Sequence, residues 1–168
     1  MQVNQKDITT LIDRDRKVWD ECAENYESSI VTGHPDVVAY TEFEEDLLDK
    51  LLLHLMRDRN KDVYLYDVGC GSARLHLHYG LKSISTKGLD KEEALKVRNL
   101  RKAANRHCYN EIYDEKLKKI GGLDFSSSMI DLAREKLLQS GLKSEIGKRL
   151  FLEVGSAYDL SPMSPSPL

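Results

Sequence analysis

A parallel α/β sheet with flanking helices is the fold class this sequence predicts, and three observations predict it. Short apolar runs at 63–68, 120–124 and 149–155 read as strands. Helix-forming segments alternate with them. The first run passes straight through Gly69-Cys70-Gly71 into another helical segment. Strands alternating with helices form parallel sheets through right-handed crossovers.

The elements follow in order. Residues 8–29 are amphipathic, with Ile8, Leu11, Ile12, Val18, Trp19, Cys22, Ala23 and Tyr26 near helical spacing. Gly33 and Pro35 break that helix. A second helix over 36–57 carries Val37, Tyr40, Phe43, Leu47, Leu48, Leu51, Leu52 and Leu55. The polar turn RDRNKD leads into the first strand, 63–68. LKSISTKGLD, 81–90, reads either as a short strand or as a loop. In the charged stretch 91–119, Val97, Leu100, Ala104, Cys108 and Ile112 predict one long amphipathic helix. IGGLD returns to strand character, and Ser126 to Ser128 offer N-caps for a helix through Gln139 that Gly141 stops. RLFLEVG is the third strand, and the Pro/Ser-rich tail 161–168 is expected to be disordered.

Composition excludes several functions. Net charge is −3 with pI ≈ 6.0, which gives no electrostatic case for nucleic acid or an anionic membrane. No apolar run approaches the ~18 residues of a membrane span. Cys22, Cys70 and Cys108 show no CxxC spacing, so neither a disulfide framework nor a zinc site is expected. A reduced, cytoplasmic compartment is the expectation. His76 and His78 stand two apart on a helix and face different ways, so no shared metal is expected, and His34, His54 and His107 stand alone.

The glycine turn carries the chemistry. A strand entering a helix through Gly-x-Gly lets backbone approach a ligand closely. The stretch is neither GxGxxG, since Arg74 stands at the third-glycine position, nor a P-loop. YLYDVGCGSAR resembles the first motif of class I S-adenosylmethionine-dependent methyltransferases, whose fold is Rossmann-like, with Ala73 in place of a third glycine. GGLDFSSSMIDLAREKL is similar to that family's second strand and following helix. VWDECAENYE resembles its N-terminal segment, and LFLEVGSAYDL its third strand and exit loop.

The resemblance implies S-adenosylmethionine as cofactor, held by Asp67, Gly69, Cys70 and Gly71. Asp124 would accept from the ribose hydroxyls, and Phe125 and Met129 would line the adenine. Ile130, Ala133 and Leu137 read better as a core-facing stripe. Tyr26 would be a lid residue, or equally a surface tyrosine on an amphipathic helix. Ser156 stands where the family has Asp, leaving the Ala157 N–H to serve. Asp90 is the rival for the ribose acid. It lies 23 residues after Asp67, near the roughly 20 expected in a nucleotide-binding unit, whereas Asp124 lies 57 after it. Its setting in KGLDKEE reads as a solvated helix start, which favours Asp124.

The family's sheet has seven strands, and this sequence reaches the third. The expectation is therefore residues 1–160 as a cofactor-binding portion: helices 8–57, glycine motif 63–80, insertion 81–119, and second and third strands 120–160. Further strands or a partner chain would complete it. The methyl acceptor is expected to be a small molecule, and no catalytic base stands out. Alone, the chain is expected to be catalytically inactive and to bind the donor weakly or not at all. The alternatives are a non-catalytic scaffold, with 91–119 as docking surface, and an NAD-type oxidoreductase fragment, which Arg74 disfavours.

Overall fold

The computed structural model describes residues 5–26, 28, 34–58, 61–103 and 108–160. His107 and the tail 161–168 lie outside them. Two long helices come first, α1 (Gln5–Tyr26) and α2 (Pro35–Leu55). Pro35 opens α2 at a position where a missing N–H costs nothing. The strand β1 (Val63–Val68) then leads through the glycine turn into α3 (Arg74–Ser83). The insertion contributes α4 (Lys91–Ala103) and α5 (Glu111–Lys116), followed by β2 (Leu117–Asp124), α6 (Ser127–Gln139) and β3 (Leu150–Val154).

The three strands form one parallel sheet in the order β1-β2-β3. Tyr64 pairs with Lys119 and Val68 with Leu123, while Ile120 pairs with Leu150 and Asp124 with Val154. This is a small parallel sheet flanked by helices, a generic Rossmann-like α/β arrangement. Its core is built on Ile120, Leu150 and Leu152 of the strands, Tyr79 and Leu81 of α3, and Ile130, Ala133 and Leu137 of α6. The last three form the expected core stripe. Ser126 caps α6 by accepting from the Met129 N–H at 3.1 Å, and Gly141 ends that segment at φ +76°.

The single helix expected over 91–119 does not form. Its apolar phase fails: Ile112, expected inward, is half-exposed, and its neighbour Tyr113 is buried instead. Asn110 starts a new helix by accepting from the Ile112 N–H at 3.0 Å. The strand then begins at Leu117, three residues ahead of the sequence reading. The segment 81–90 is a loop, not a strand, with Leu81 to Ser83 completing α3 and a 3₁₀ turn at Thr86–Gly88. The insertion packs into the body, with Val97 and Tyr113 buried. Arg101 donates to the Leu81 and Ile84 carbonyls, both at 2.6 Å, which satisfies acceptors that the end of α3 leaves open.

The helix α2 meets α3 through charge. Arg74 contacts Glu44 and Glu45, His78 lies between Glu45 and Asp49, and Lys82 contacts Asp49. Its outer face is apolar, with Tyr40, Phe43, Leu47, Leu51 and Leu55 all more than half exposed. No described helix is long and apolar enough to cross a membrane.

Candidate functional site

The end of β1 turns sharply because three residues take left-handed backbone: Gly69 at φ +82°, Gly71 at +49° and Ala73 at +60°. Ala73 carries a side chain there, at a strain of about 1–2 kcal/mol. It occupies the third-glycine place of the turn, so the departure noted in the sequence keeps the glycine-like conformation. The turn is tied to β2, since the N–H groups of Gly69 and Cys70 donate to the Leu123 carbonyl at 2.7 and 3.1 Å.

Asp124 closes the arrangement from β2. Its Oδ2 accepts from the Gly71 N–H and its Oδ1 from the Ser126 N–H, both at 2.9 Å. Each carboxylate oxygen keeps a further acceptor position. Two compartments meet over this turn and share Tyr26, Gly69 and Gly71. One, about 180 Å³, is lined also by Trp19, Asp124, Phe125 and Met129. The other, about 420 Å³, is lined by Tyr40, Thr41, Glu44, Asp67, Cys70 and Arg74 among others. The larger falls within the roughly 300–1,000 Å³ of small-ligand pockets, and the smaller lies below it.

The crevice is acidic. Arg74, its one cation among the lining residues, is engaged by Glu44 and Glu45. Burial drives the Asp67 carboxyl up to about 6; Arg74 opposes this, while Glu44 and Asp124 add to it. The Cys70 thiol is raised by burial first, then by Asp67 and Asp124, so it is no thiolate nucleophile.

A raised acid destabilises the fold once ionised. The folded state holds the Asp67 proton more tightly than the unfolded chain, so the cost is absent below the ordinary value of 3.8 and complete above about 6. Asp67→Asn is therefore expected to stabilise the protein at pH 7 by about 1–3 kcal/mol, with the gain vanishing below about pH 4. Urea denaturation of both proteins across pH 3–8 measures it, and a pH-independent difference would show that the charge is not the cause.

The roof comes from α1. Trp19 and Tyr26, one face apart by two turns, meet edge-to-face with centroids 6.0 Å apart. The Tyr26 hydroxyl lies 3.8 Å from where a Gly71 Cβ would stand. Asp20 accepts from the Ser126 hydroxyl at 2.6 Å and the Ser128 N–H at 3.2 Å, and the Ser126 bond holds its carboxyl below the ordinary value. Arg16 Nε donates to the Phe125 carbonyl at 3.0 Å.

Asp67, Gly69, Cys70, Gly71, Asp124, Phe125, Met129 and Tyr26 thus converge on one crevice. Ser156 and Ala157 do not line either compartment; Ser156 instead accepts from the Tyr158 N–H at 3.2 Å in its own turn. Asp90 is exposed and caps α4 through the Glu93 N–H at 2.8 Å, away from the turn. His76 faces β2 and His78 faces α2, on different sides of α3. Among the described residues no cluster of metal-ligating side chains forms. Sequence reasoning missed Trp19, Asp20, Tyr40 and Glu44. For Trp19 a signal existed, since it lies two turns before Tyr26 on the same helical face. No family model matches the chain, and no curated protein or solved structure matches it.

Proposed function

We propose that this chain is a cofactor-binding portion of an S-adenosylmethionine-dependent methyltransferase acting on a small-molecule acceptor. The observation that carries the reading is an acidic crevice built around a glycine turn. A pyrophosphate-bearing dinucleotide needs donors and positive charge at such a turn. Here Asp67 and Asp124 flank it, and the Arg74 guanidinium is taken by Glu44 and Glu45. A cationic sulfonium ligand with a ribose diol suits that charge, and a dianionic pyrophosphate does not.

The residues divide the work. Asp124 keeps acceptor positions for two hydroxyls while its bonds to Gly71 and Ser126 fix its orientation. Phe125, Met129 and Trp19 give the smaller compartment apolar walls for a purine. The larger cleft, with Tyr40, Thr41 and Glu44, leaves room for the acceptor. The donor supplies a methyl group on a positive sulfur, open to in-line attack. For such a reaction positioning and water exclusion are most of what the protein must provide.

Isothermal titration tests the reading. S-adenosylmethionine or S-adenosylhomocysteine is expected to bind, and Asp124→Ala to weaken binding by about 2–3 kcal/mol, roughly 30- to 150-fold. Asp124→Asn, which retains one acceptor, guards against a variant that merely fails to fold. Binding of NADH in place of both sulfur compounds would overturn the proposal. A second reading, a scaffold working through a partner chain, draws on the uncovered apolar face of α2. It expects no donor binding in any variant.

A further inference from the structure

Resting on that reading of the crevice, we propose that Asp20 is a positioning residue: its carboxylate latches α1 over the ligand compartment, and breaking the latch opens the compartment.

Few of the described side chains of α1 are buried. Among its described side chains Ala23 alone is buried, while Leu11, Val18 and Trp19 are 39% to 50% exposed. An open groove of about 380 Å³ lies along the contact with α6, lined by Asp20, Ala23, Glu24, Ser128, Asp131 and others. Apolar packing of that extent gives weak adhesion, since hydrophobic stabilisation scales with area removed from water. The specific fasteners are polar and sit one helical turn apart. Arg16 takes the Phe125 carbonyl, and Asp20 takes the Ser126 hydroxyl and the Ser128 N–H. A carboxylate accepting at the first turn of α6 also meets the positive end of the helix dipole.

The latch is wired to the site. Ser126 has no exposed surface and uses all of its polar groups: N–H to Asp124, hydroxyl to Asp20, and hydroxyl oxygen from the Met129 N–H. Asp124 continues the chain to the Gly71 N–H. One hydrogen-bonded path therefore joins the glycine turn to α1, and Trp19 and Tyr26 are carried onto the crevice by the helix that the path holds. A ligand engaging Asp124 and touching Trp19 binds the latched state better than the open one. That differential is what closure requires.

Trp19 is the only tryptophan, so intrinsic fluorescence reports on this helix directly. Asp20→Ala is expected to raise acrylamide quenching of Trp19 and to speed hydrogen exchange in α1 about fivefold. Exchange in β2 should be unchanged. Asp20→Asn, whose amide oxygen still accepts, should fall between the two. With S-adenosylhomocysteine, Asp20→Ala should accelerate both association and dissociation. Unaltered Trp19 quenching in Asp20→Ala would overturn the latch, as would equal loss of protection in α1 and β2, which would make Asp20 a support of the whole fold. A wild-type chain that ignores the ligand while the quenching arm behaves as expected would sink the methyl-donor reading and leave the latch standing.

Discussion

Replacing Gly122 by alanine is expected to cost about 3 kcal/mol, the upper end of what overpacking usually costs. A methyl there would stand 2.6 Å from His76 Cε1, 2.8 Å from His76 Nε2 and 2.8 Å from Cys70 Sγ. None of these has room to move. His76 has no exposed surface and Cys70 lies beneath the glycine turn at 6% exposure. The imidazole is neutral there, because burial pushes its pKa down to about 4 against a smaller opposing pull from the Phe151 backbone. Gly122→Ala should therefore lower the urea midpoint sharply and loosen the turn above it. Combining it with His76→Ser should recover at least about 1 kcal/mol relative to the sum of the single changes. Strict additivity would show that the clash with His76 is not the cause.

That contact explains what the sequence could and could not disclose. The strand endings, the glycine turn and the cap at Ser126 were legible because each is a local pattern: alternation, a pair of glycines, a serine before an apolar helix stripe. Asp124 could be preferred over Asp90 on the same grounds, since KGLDKEE is a local helix start. Gly122, in contrast, is one of two adjacent glycines in a strand, and only the arrival of α3 against β2 gives one of them its purpose. The break within 91–119 was hidden for a related reason. Val97, Leu100, Ala104, Cys108 and Ile112 keep helical spacing, but tertiary burial selects Tyr113 over Ile112 and fixes the phase change at Asn110.

The helix α2 shows the limit of periodicity from the other side. Of the apolar residues the sequence places on α2, Leu48 and Leu52 pack on the core, whereas Tyr40, Phe43, Leu47, Leu51 and Leu55 form its outward face. The inner side of α2 is mixed: beside Leu48 and Leu52 it carries Glu45 and Asp49, which meet Arg74, His78 and Lys82 of α3 at four-residue spacing. Hydrophobic spacing could find the helix but not its orientation, because the partner that decides it lies 30 residues further along the chain.

Asp49→Ala should break this contact at a cost of about 3–5 kcal/mol, since removing one member of a buried ion pair leaves its partners uncompensated. Asp49 serves three groups: Lys82, His78 Nε2 at 3.3 Å and the Tyr113 hydroxyl at 3.0 Å. Nδ1 of His78 lies 3.2 Å from Glu45, and the side chain is 1% exposed, so the lost acceptor cannot be replaced by water without opening the helix pair. The pH profile carries the signature. Burial alone would lower the His78 pKa, but Asp49 and Glu45 raise it above 6.5. Its contribution is then complete below 6.5 and is lost as pH rises through the folded value. Burial alone would raise the two acids, yet His78 with Arg74 holds Glu45 at about 2, and His78 with Lys82 holds Asp49 at about 2. Their contribution is present above their ordinary values, 4.5 and 3.8, and is lost as pH falls toward 2. His76, lowered to about 4, adds a further loss as pH falls from 6.5 to 4. The Asp67 cost is relieved as pH falls from about 6 to 3.8 and largely offsets the His76 loss, so wild-type stability should stay nearly level between about pH 4 and 6.5 and decline on both flanks. In Asp49→Ala the alkaline decline should flatten, because His78 keeps one carboxylate in place of two. Urea denaturation between pH 3 and 9 measures this, and an alkaline flank as steep in the variant as in the wild type would place its origin outside the α2–α3 contact.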